Sequence, residues 1–209
     1  MTKNNRNKES YKLLKEDSRY RKECNLCRES KMKVGKTGYG YIICKVGDKK
    51  NGWFATLSPK TGGDPEHDFT IQIMPSCHLT HFSQIGENQR SPSNFGIMFS
   101  KISRAMSEYM IENEDLRSDT LEKELSVPLA TYAKCTTWSP KKEHLHIKIF
   151  QFRGSIGQPY TVDSSFEKKE VLSDDLGKFI KMNPVSKKQI PPKRLDNLAK
   201  CLIKSTNKR

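Results

Sequence analysis

One run of this chain reads His144-Leu145-His146-Ile147-Lys148-Ile149-Phe150, with polar and apolar residues alternating as far as Ile149. A period of two predicts a β-strand, in which successive side chains point to opposite faces of a sheet. One face then carries His144, His146 and Lys148, and the other carries apolar residues suited to a hydrophobic core. Two of the chain's five histidines therefore share one strand face.

Three segments upstream are also rich in β-branched and aromatic residues, namely 39–46, 53–57 and 69–74. Turn residues separate them at Gly47-Asp48 and over 58–63. Turns this short leave no room for crossover helices, so we expect an antiparallel meander. Residues 129–137 have β character as well, before a turn at 139–142 and the histidine strand.

A helix is predicted between these groups of strands. Ser91-Pro92-Ser93-Asn94 supplies turn and N-cap chemistry, and apolar residues then recur at steps of three and four. This periodicity predicts a long amphipathic helix whose apolar stripe packs on a sheet. The residues of the stripe are Phe95, Met98, Phe99, Ile102, Met106, Tyr109 and Met110. The expected fold class is α+β, an antiparallel sheet with a long amphipathic helix on one face.

The length of 209 residues favours one domain with appended ends. Residues 1–22 are expected to form a basic tail, with a short helix around Tyr11 to Leu14. The domain is expected to span residues 23–153. Residues 154–209 are rich in lysine and proline, and we expect a basic C-terminal extension with short helices at Asp174 to Met182 and Leu195 to Ile203.

The chain has 38 Lys and Arg residues against 24 Asp and Glu residues, a formal net charge of +14. Such an excess attracts phosphates, nucleic acid or anionic surfaces, unless it reflects general lysine richness. No apolar run is long enough to span a membrane, and the first residues are not typical of a secretory signal. We therefore expect an intracellular, cytoplasmic protein without a membrane partner, whose cysteines bind metal or remain thiols.

Two cysteines, Cys24 and Cys27, stand in a C-x2-C pair, and Pro75-Ser76-Cys77-His78 follows at a distance. Two thiolates and two imidazoles form a tetrahedral zinc site. This residue set suits a structural site because four protein ligands leave no open position for water. His81 and Cys77 are alternatives to His78 as a ligand.

These segments together resemble the histidine-triad (HIT) superfamily of nucleotide hydrolases and transferases, including its galactose-1-phosphate uridylyltransferase branch. The resemblance covers Cys24 to Phe150. It rests on Cys24-Asn25-Leu26-Cys27, on the segments 56–63 and 73–78, and on His144-Leu145-His146-Ile147-Lys148. In that family a strand ending in Pro-x-x-His precedes a helix and the histidine strand, and the resemblance implies the same α+β fold.

The resemblance also implies roles for individual residues. In zinc-bearing members the matching positions bind the metal, so the expected ligands of a structural zinc ion are Cys24, Cys27, His78 and His144. His146 corresponds to the nucleophile, which attacks an α-phosphorus and carries the nucleotidyl group as a phosphoramidate. Such a nucleophile requires a neutral and correctly oriented imidazole.

Three positions depart from the family's pattern. Lys148 replaces the third histidine, where the transferase branch has glutamine, and its cation is suited to binding a phosphate. Lys141 stands where Ser or Thr usually precedes the first histidine, and we expect it to bind substrate phosphate too. Thr56 stands in place of an acidic residue that commonly holds the ribose.

Two functions follow as hypotheses. The first is a HIT-like hydrolase or nucleotidyltransferase that acts on a nucleotide or another phosphorylated small molecule through His146. The second is an inactive HIT-like module whose basic surface binds nucleotides or nucleic acid through phosphate contacts. HIT proteins often dimerise, so the resemblance also raises a homodimer as a partner.

Overall fold

The computed structural model describes residues 24–87, 90–113, 129–133, 144–151, 166–174, 177–184 and 187–208. The expected helix near Tyr11, the turn at 139–142 and Lys141 lie outside these residues. Within them the fold is α+β, as the sequence predicts. No helix among these residues is long and apolar enough to cross a membrane.

The main sheet has six strands, and every neighbouring pair is antiparallel. Its strands are β1 (Gly35–Lys36), β2 (Tyr41–Val46), β3 (Trp53–Leu57), β5 (Thr70–Pro75), β6 (Leu129–Ala133) and β7 (Ile147–Gln151). The spatial order is β1-β2-β3-β5-β7-β6. The predicted meander is confirmed, because β2, β3 and β5 are adjacent in this order. The histidine strand is shorter than predicted, since β7 begins at Ile147, and His144, Leu145 and His146 precede it outside any strand.

Two small antiparallel pairs form sheets separate from the main one. β4 (Lys60–Thr61) pairs with β10 (Lys188–Gln189), and β8 (Phe166–Asp174) pairs with β9 (Gly177–Pro184). The helix predicted over Asp174 to Met182 is therefore wrong. Asp174 pairs with Gly177 at the closed end of a hairpin, and these residue types favour a turn over a helix interior.

Three α-helices complete the described chain: α1 (Asn25–Glu29), α2 (Arg90–Asn113) and α3 (Pro192–Asn207). A 3₁₀ helix at Phe82–Glu87 leads towards α2. The long predicted helix is confirmed as α2, and Met98, Ile102 and Met106 of its apolar stripe are fully buried. The indole N–H of Trp53 donates a hydrogen bond to the Ser91 carbonyl at 2.9 Å, which holds the start of α2 against β3.

The C-terminal helix α3 shares the core of the sheet. Leu198, Ala199 and Leu202 are fully buried in the same apolar cluster as α2 and the strands. The short helix predicted over Leu195 to Ile203 is confirmed and extended. Its placement differs from the expected C-terminal extension, because residues 187–208 belong to the folded domain. Burial of this apolar face stabilises the fold, since each fully buried leucine side chain contributes about 1.5–3 kcal/mol to the free energy of unfolding.

Candidate functional site

The short helix α1 brings Cys24 and Cys27 to one side of a single turn. Cys24 precedes its first residue, and the carbonyl of Cys24 accepts a hydrogen bond from the Arg28 N–H at 3.1 Å. Residues three apart on a helical turn are neighbours, so both sulfurs face the same direction. Both cysteines are buried.

The two histidines lie just beyond the ends of two neighbouring strands of the main sheet. His78 follows the end of β5, and His144 precedes the start of β7. Because β5 and β7 run antiparallel, the end of one lies beside the beginning of the other. The Leu145 N–H donates to the Leu79 carbonyl at 2.6 Å and joins the two segments.

The four side chains meet in one buried cluster. The Cys24 sulfur and the His144 Nδ1 atom are 3.5 Å apart, and the Cys27 sulfur lies 3.5 Å from the Nδ1 atoms of both His78 and His144. All four ligand atoms lie within 4.8 Å of one another, and together they could hold a metal ion. His78 is fully buried and His144 is 3% exposed, so bulk water reaches the imidazoles poorly.

This geometry fits a metal better than a set of ordinary hydrogen bonds. His144 donates Nε2–H to the Pro75 carbonyl at 2.8 Å, which leaves the lone pair of Nδ1 directed at the sulfurs. A histidine that binds metal through one nitrogen commonly donates its other N–H to such an acceptor. For tetrahedral zinc, typical bond lengths give an S···N separation of about 3.6 Å, close to the 3.5 Å observed here.

The Cys24 thiol is strongly acidic in this setting. Its pKa is lowered from 9.0 to about 2, chiefly by the hydrogen bond with the Cys27 side chain. Burial opposes the shift, and the hydrogen bonds with His144 and His78 add to it. A thiolate is the form that binds metal, so the cluster favours the ionisation state that a metal ligand requires.

The alternatives to His78 take other positions. His81 is bonded through Nδ1 to the hydroxyl of Ser83 at 2.7 Å and through its backbone N–H to Gln84. Cys77 packs against the hydrophobic core, and burial raises the pKa of its thiol. The ligand set expected from the resemblance is therefore the one that the structure brings together. His78 Nε2 is buried and has no hydrogen-bond partner among the described residues.

His146 lies next to this cluster, and a backbone carbonyl orients its ring. Its Nδ1 atom is 3.0 Å from the His144 carbonyl oxygen. A carbonyl can only accept a hydrogen bond, so Nδ1 carries the proton and, in the neutral ring, Nε2 carries the lone pair. The residue is half-buried. Backbone carbonyls thus select opposite tautomers for His144 and His146.

A polar row crosses the sheet beside His146. Lys148 pairs with Gln72 on β5, and Gln72 pairs with Thr56 on β3. These residues lie on the face opposite α2 and α3, because their strand neighbours Ile71, Ile147 and others fill the core between. Thr56 and Gln72 are half-buried, and Lys148 is 8% exposed.

Sequence reasoning missed two members of the site. Gln72 interrupts the apolar run of β5, and its alternation with Ile71 and Ile73 indicates that its side chain lies on the face away from the core. Only the register of β5 and β7 shows that Gln72 is the partner of Lys148 on that face. The carbonyl of Pro75 gives no signal in the sequence. Lys141, expected to bind phosphate, lies outside the described residues.

The fold and site define an α+β domain with a buried cluster of two cysteines and two histidines beside an oriented histidine. Comparisons of the chain with protein-family models, with curated proteins and with solved structures find no match. The function of the chain therefore has to be inferred from the geometry of these residues.

Proposed function

We propose that the protein is a nucleotide hydrolase or nucleotidyltransferase of the HIT type, with His146 as its nucleophile. The observation that carries the proposal is the hydrogen bond between His146 Nδ1 and the His144 carbonyl. It fixes the ring and directs a lone pair to Nε2, which is what nucleophilic catalysis by a neutral histidine needs.

Lys148 supports the choice of a phosphorylated substrate. It stands two residues after His146 in the sequence and pairs with Gln72 of β5. Charge develops on the phosphoryl oxygens in the transition state, and a cation held in a fixed place stabilises that charge without reorganisation. Because the Lys148 side chain is largely buried, its charge acts in a medium of lower dielectric than water.

The reaction we propose has two displacements. The lone pair of His146 Nε2 attacks the α-phosphorus, a P–N bond forms, and the P–O bond to the leaving group breaks. The leaving oxygen keeps the electron pair and takes up a proton where its basicity requires one. Water or an acceptor hydroxyl then attacks phosphorus and releases its proton to solvent, and the P–N bond breaks with its electron pair returning to Nε2, which restores the neutral imidazole.

Zinc is the metal that we propose for the neighbouring cluster, held by Cys24, Cys27, His78 and His144. Two thiolates and two imidazoles are a donor set typical of structural zinc. When bound, the ion supplies a cross-link between α1 and the ends of β5 and β7, and no chemical step. His144 would bind the metal through its side chain, and the carbonyl of the same residue orients His146.

The experiment that tests the proposal measures the covalent intermediate. Full-length wild type and His146→Ala are incubated with a panel of dinucleoside polyphosphates and nucleotide sugars, and intact masses are read at short times. We expect a nucleotidyl mass increment on the wild type alone. His81→Ala is the matched control, since His81 is a half-buried histidine bonded to Ser83 and outside the cluster, and it should form the adduct as the wild type does.

Bound metal is measured on the same samples. One zinc equivalent in wild type and in His146→Ala shows that the variant has kept its fold, so the missing adduct reports on the nucleophile. Zinc in all variants with no adduct and no turnover for any substrate would contradict the enzymatic function. The second hypothesis, an inactive module whose basic surface binds nucleotides or nucleic acid, would then be favoured.

A further inference from the structure

The outer side of α3 carries an exposed row of polar side chains that we call the basic stripe, composed of Lys193, Asn197, Lys200 and Lys204. With 3.6 residues per turn these four positions fall within an arc of roughly 60°. The buried residues Leu198 and Leu202 lie on the opposite side of the helix. The stripe therefore points directly away from the core.

Packing holds the stripe in a fixed geometry. Leu195, Leu198 and Leu202 anchor α3 in the core, and the Lys101 ammonium donates to the Thr206 carbonyl at 3.0 Å near its end. From Lys193 to Lys204 the helix rises by roughly 16 Å at 1.5 Å per residue. The three lysines are thus carried on one α-helix that is anchored in the core.

The segment that contains α3 has a large excess of basic residues. Residues 187–208 contain seven Lys and Arg residues and a single acidic residue, Asp196. Asp196 accepts a hydrogen bond from the Tyr41 hydroxyl and lies 3.8 Å from the Lys36 ammonium. It faces β1 and β2 instead of the stripe, and Lys187 and Lys188 extend the exposed positive charge ahead of the helix.

We propose that the basic stripe binds the phosphate backbone of duplex nucleic acid without reading its sequence. Each strand of a B-form duplex presents one phosphate per 3.4 Å of axis, so a run of roughly 16 Å faces about five phosphates. Lysine binds phosphate as a point charge, which gives affinity and no base specificity.

The same residues disfavour two other anionic partners. The stripe has no aromatic side chain on which unpaired bases could stack, and stacking supplies much of the affinity for single strands. A bilayer surface binds helices that insert an apolar face, and the apolar face of α3 is already in the core. A duplex, which presents rigid rows of phosphates, is therefore the anionic partner that suits this surface.

This inference is independent of the proposed catalytic function. His146 and the metal cluster are not part of the stripe. His146→Ala should therefore bind duplex as the wild type does, even though it forms no adduct. Failure of the catalytic proposal would leave duplex binding unchanged, and loss of duplex binding would leave adduct formation intact.

The test uses the full chain with fluorescent duplexes of about 24 base pairs, one DNA and one RNA, titrated at several salt concentrations. The variant is Lys193→Gln, Lys200→Gln and Lys204→Gln together. The matched control is Lys33→Gln, Lys49→Gln and Lys50→Gln, which removes the same charge from exposed positions outside the stripe. Thermal unfolding verifies that both variants remain folded.

We expect the stripe variant to bind either duplex about tenfold more weakly or worse at 0.1 M salt. The slope of log affinity against log salt should become shallower by about 2 to 3, because each lost phosphate contact contributes about 0.9. The control variant should lose much less. Three results would each overturn the proposal: no duplex binding by the wild type, equal losses in both variants, or tighter binding to a single strand or to vesicles of anionic lipid.

Discussion

The carbonyl oxygen of His144 accepts a hydrogen bond from Nδ1 of His146 at 3.0 Å. The imidazole of the same His144 lies 3.5 Å from the sulfurs of Cys24 and Cys27. His144 therefore belongs to the cluster of two cysteines and two histidines through its side chain and orients His146 through its backbone. Stability of the cluster and reactivity of His146 are expected to be linked through this residue.

Removal of metal ligands should abolish metal binding. Cys27→Ala and His78→Ala each leave a buried three-ligand set, and we expect bound zinc to fall from one equivalent to a small fraction of that. Structural zinc contributes on the order of 10 kcal/mol in small domains at neutral pH, so both variants should also unfold at lower temperature. Elemental analysis and thermal unfolding measure these changes.

Cys77→Ala and His81→Ala are the matched controls for these ligand variants. Both residues neighbour His78 in sequence and take no part in the cluster. They should keep a full zinc equivalent. If either lost its metal while His78→Ala kept it, the assignment of ligands would be incorrect.

Substitution of Lys148 should impair chemistry more than folding. In Lys148→Met the apolar stem is retained and the cation is removed, so we expect adduct formation to slow by about 10²-fold while zinc content is unchanged. This magnitude is typical of removing one group that stabilises transition-state charge. Rapid-quench mass measurement gives the rate, and an unaltered rate would mean that Lys148 does not contact the phosphoryl group.

Shortening a buried side chain of α3 should destabilise the whole domain. Leu198 is fully buried between α3 and the sheet, and Leu198→Ala should lower the free energy of unfolding by 2–5 kcal/mol, about the usual cost of such a cavity. Lys200→Ala on the exposed side should change it by less than about 0.5 kcal/mol. Similar small effects from both variants in denaturant unfolding would show that α3 is dispensable.

The contact between Tyr41 and Asp196 should make stability depend on pH in the alkaline range. The hydrogen bond to Asp196 raises the pKa of the Tyr41 phenol above its ordinary value of 10.0, and burial and the carboxylate charge act in the same direction. The interactions that raise this pKa stabilise the folded state as long as the phenol is protonated. Their contribution is fully present below pH 10.0 and is lost as pH rises through the folded-state pKa.

Tyr41→Phe isolates this contribution. At pH 8 we expect it to be about 1 kcal/mol less stable than the wild type, a modest value because Asp196 is partly exposed. The difference should disappear above the pKa of the phenol. Denaturant unfolding between pH 8 and 11.5 measures it, and a difference that grew with pH would contradict the assigned hydrogen bond.

Local patterns in the sequence account for much of the fold. The period of two predicts β7, the β-branched and aromatic segments between turn residues predict β2, β3 and β5, and the steps of three and four predict α2, because burial of one face repeats with the geometry of each element. The residues Asp174 and Gly177 were the exception. There two paired strands take the place of the predicted helix, and the choice between helix and strand depends on whether a partner strand lies within reach.

The sequence by itself determined the candidate donors, since the C-x2-C pair and the histidines at 78 and 144 are visible in the residues and in their resemblance to HIT proteins. Only the tertiary structure decided which of them meet. Cys27 is separated from His78 by 51 positions and from His144 by 117, so their proximity depends on how β5 and β7 pair. The tautomers depend on the carbonyls of Pro75 and His144, which belong to the backbone and carry no sequence signal. The same holds for α3, since a short helix over Leu195 to Ile203 was predicted from the sequence, but its packing in the core with α2 and the sheet is known only from the structure.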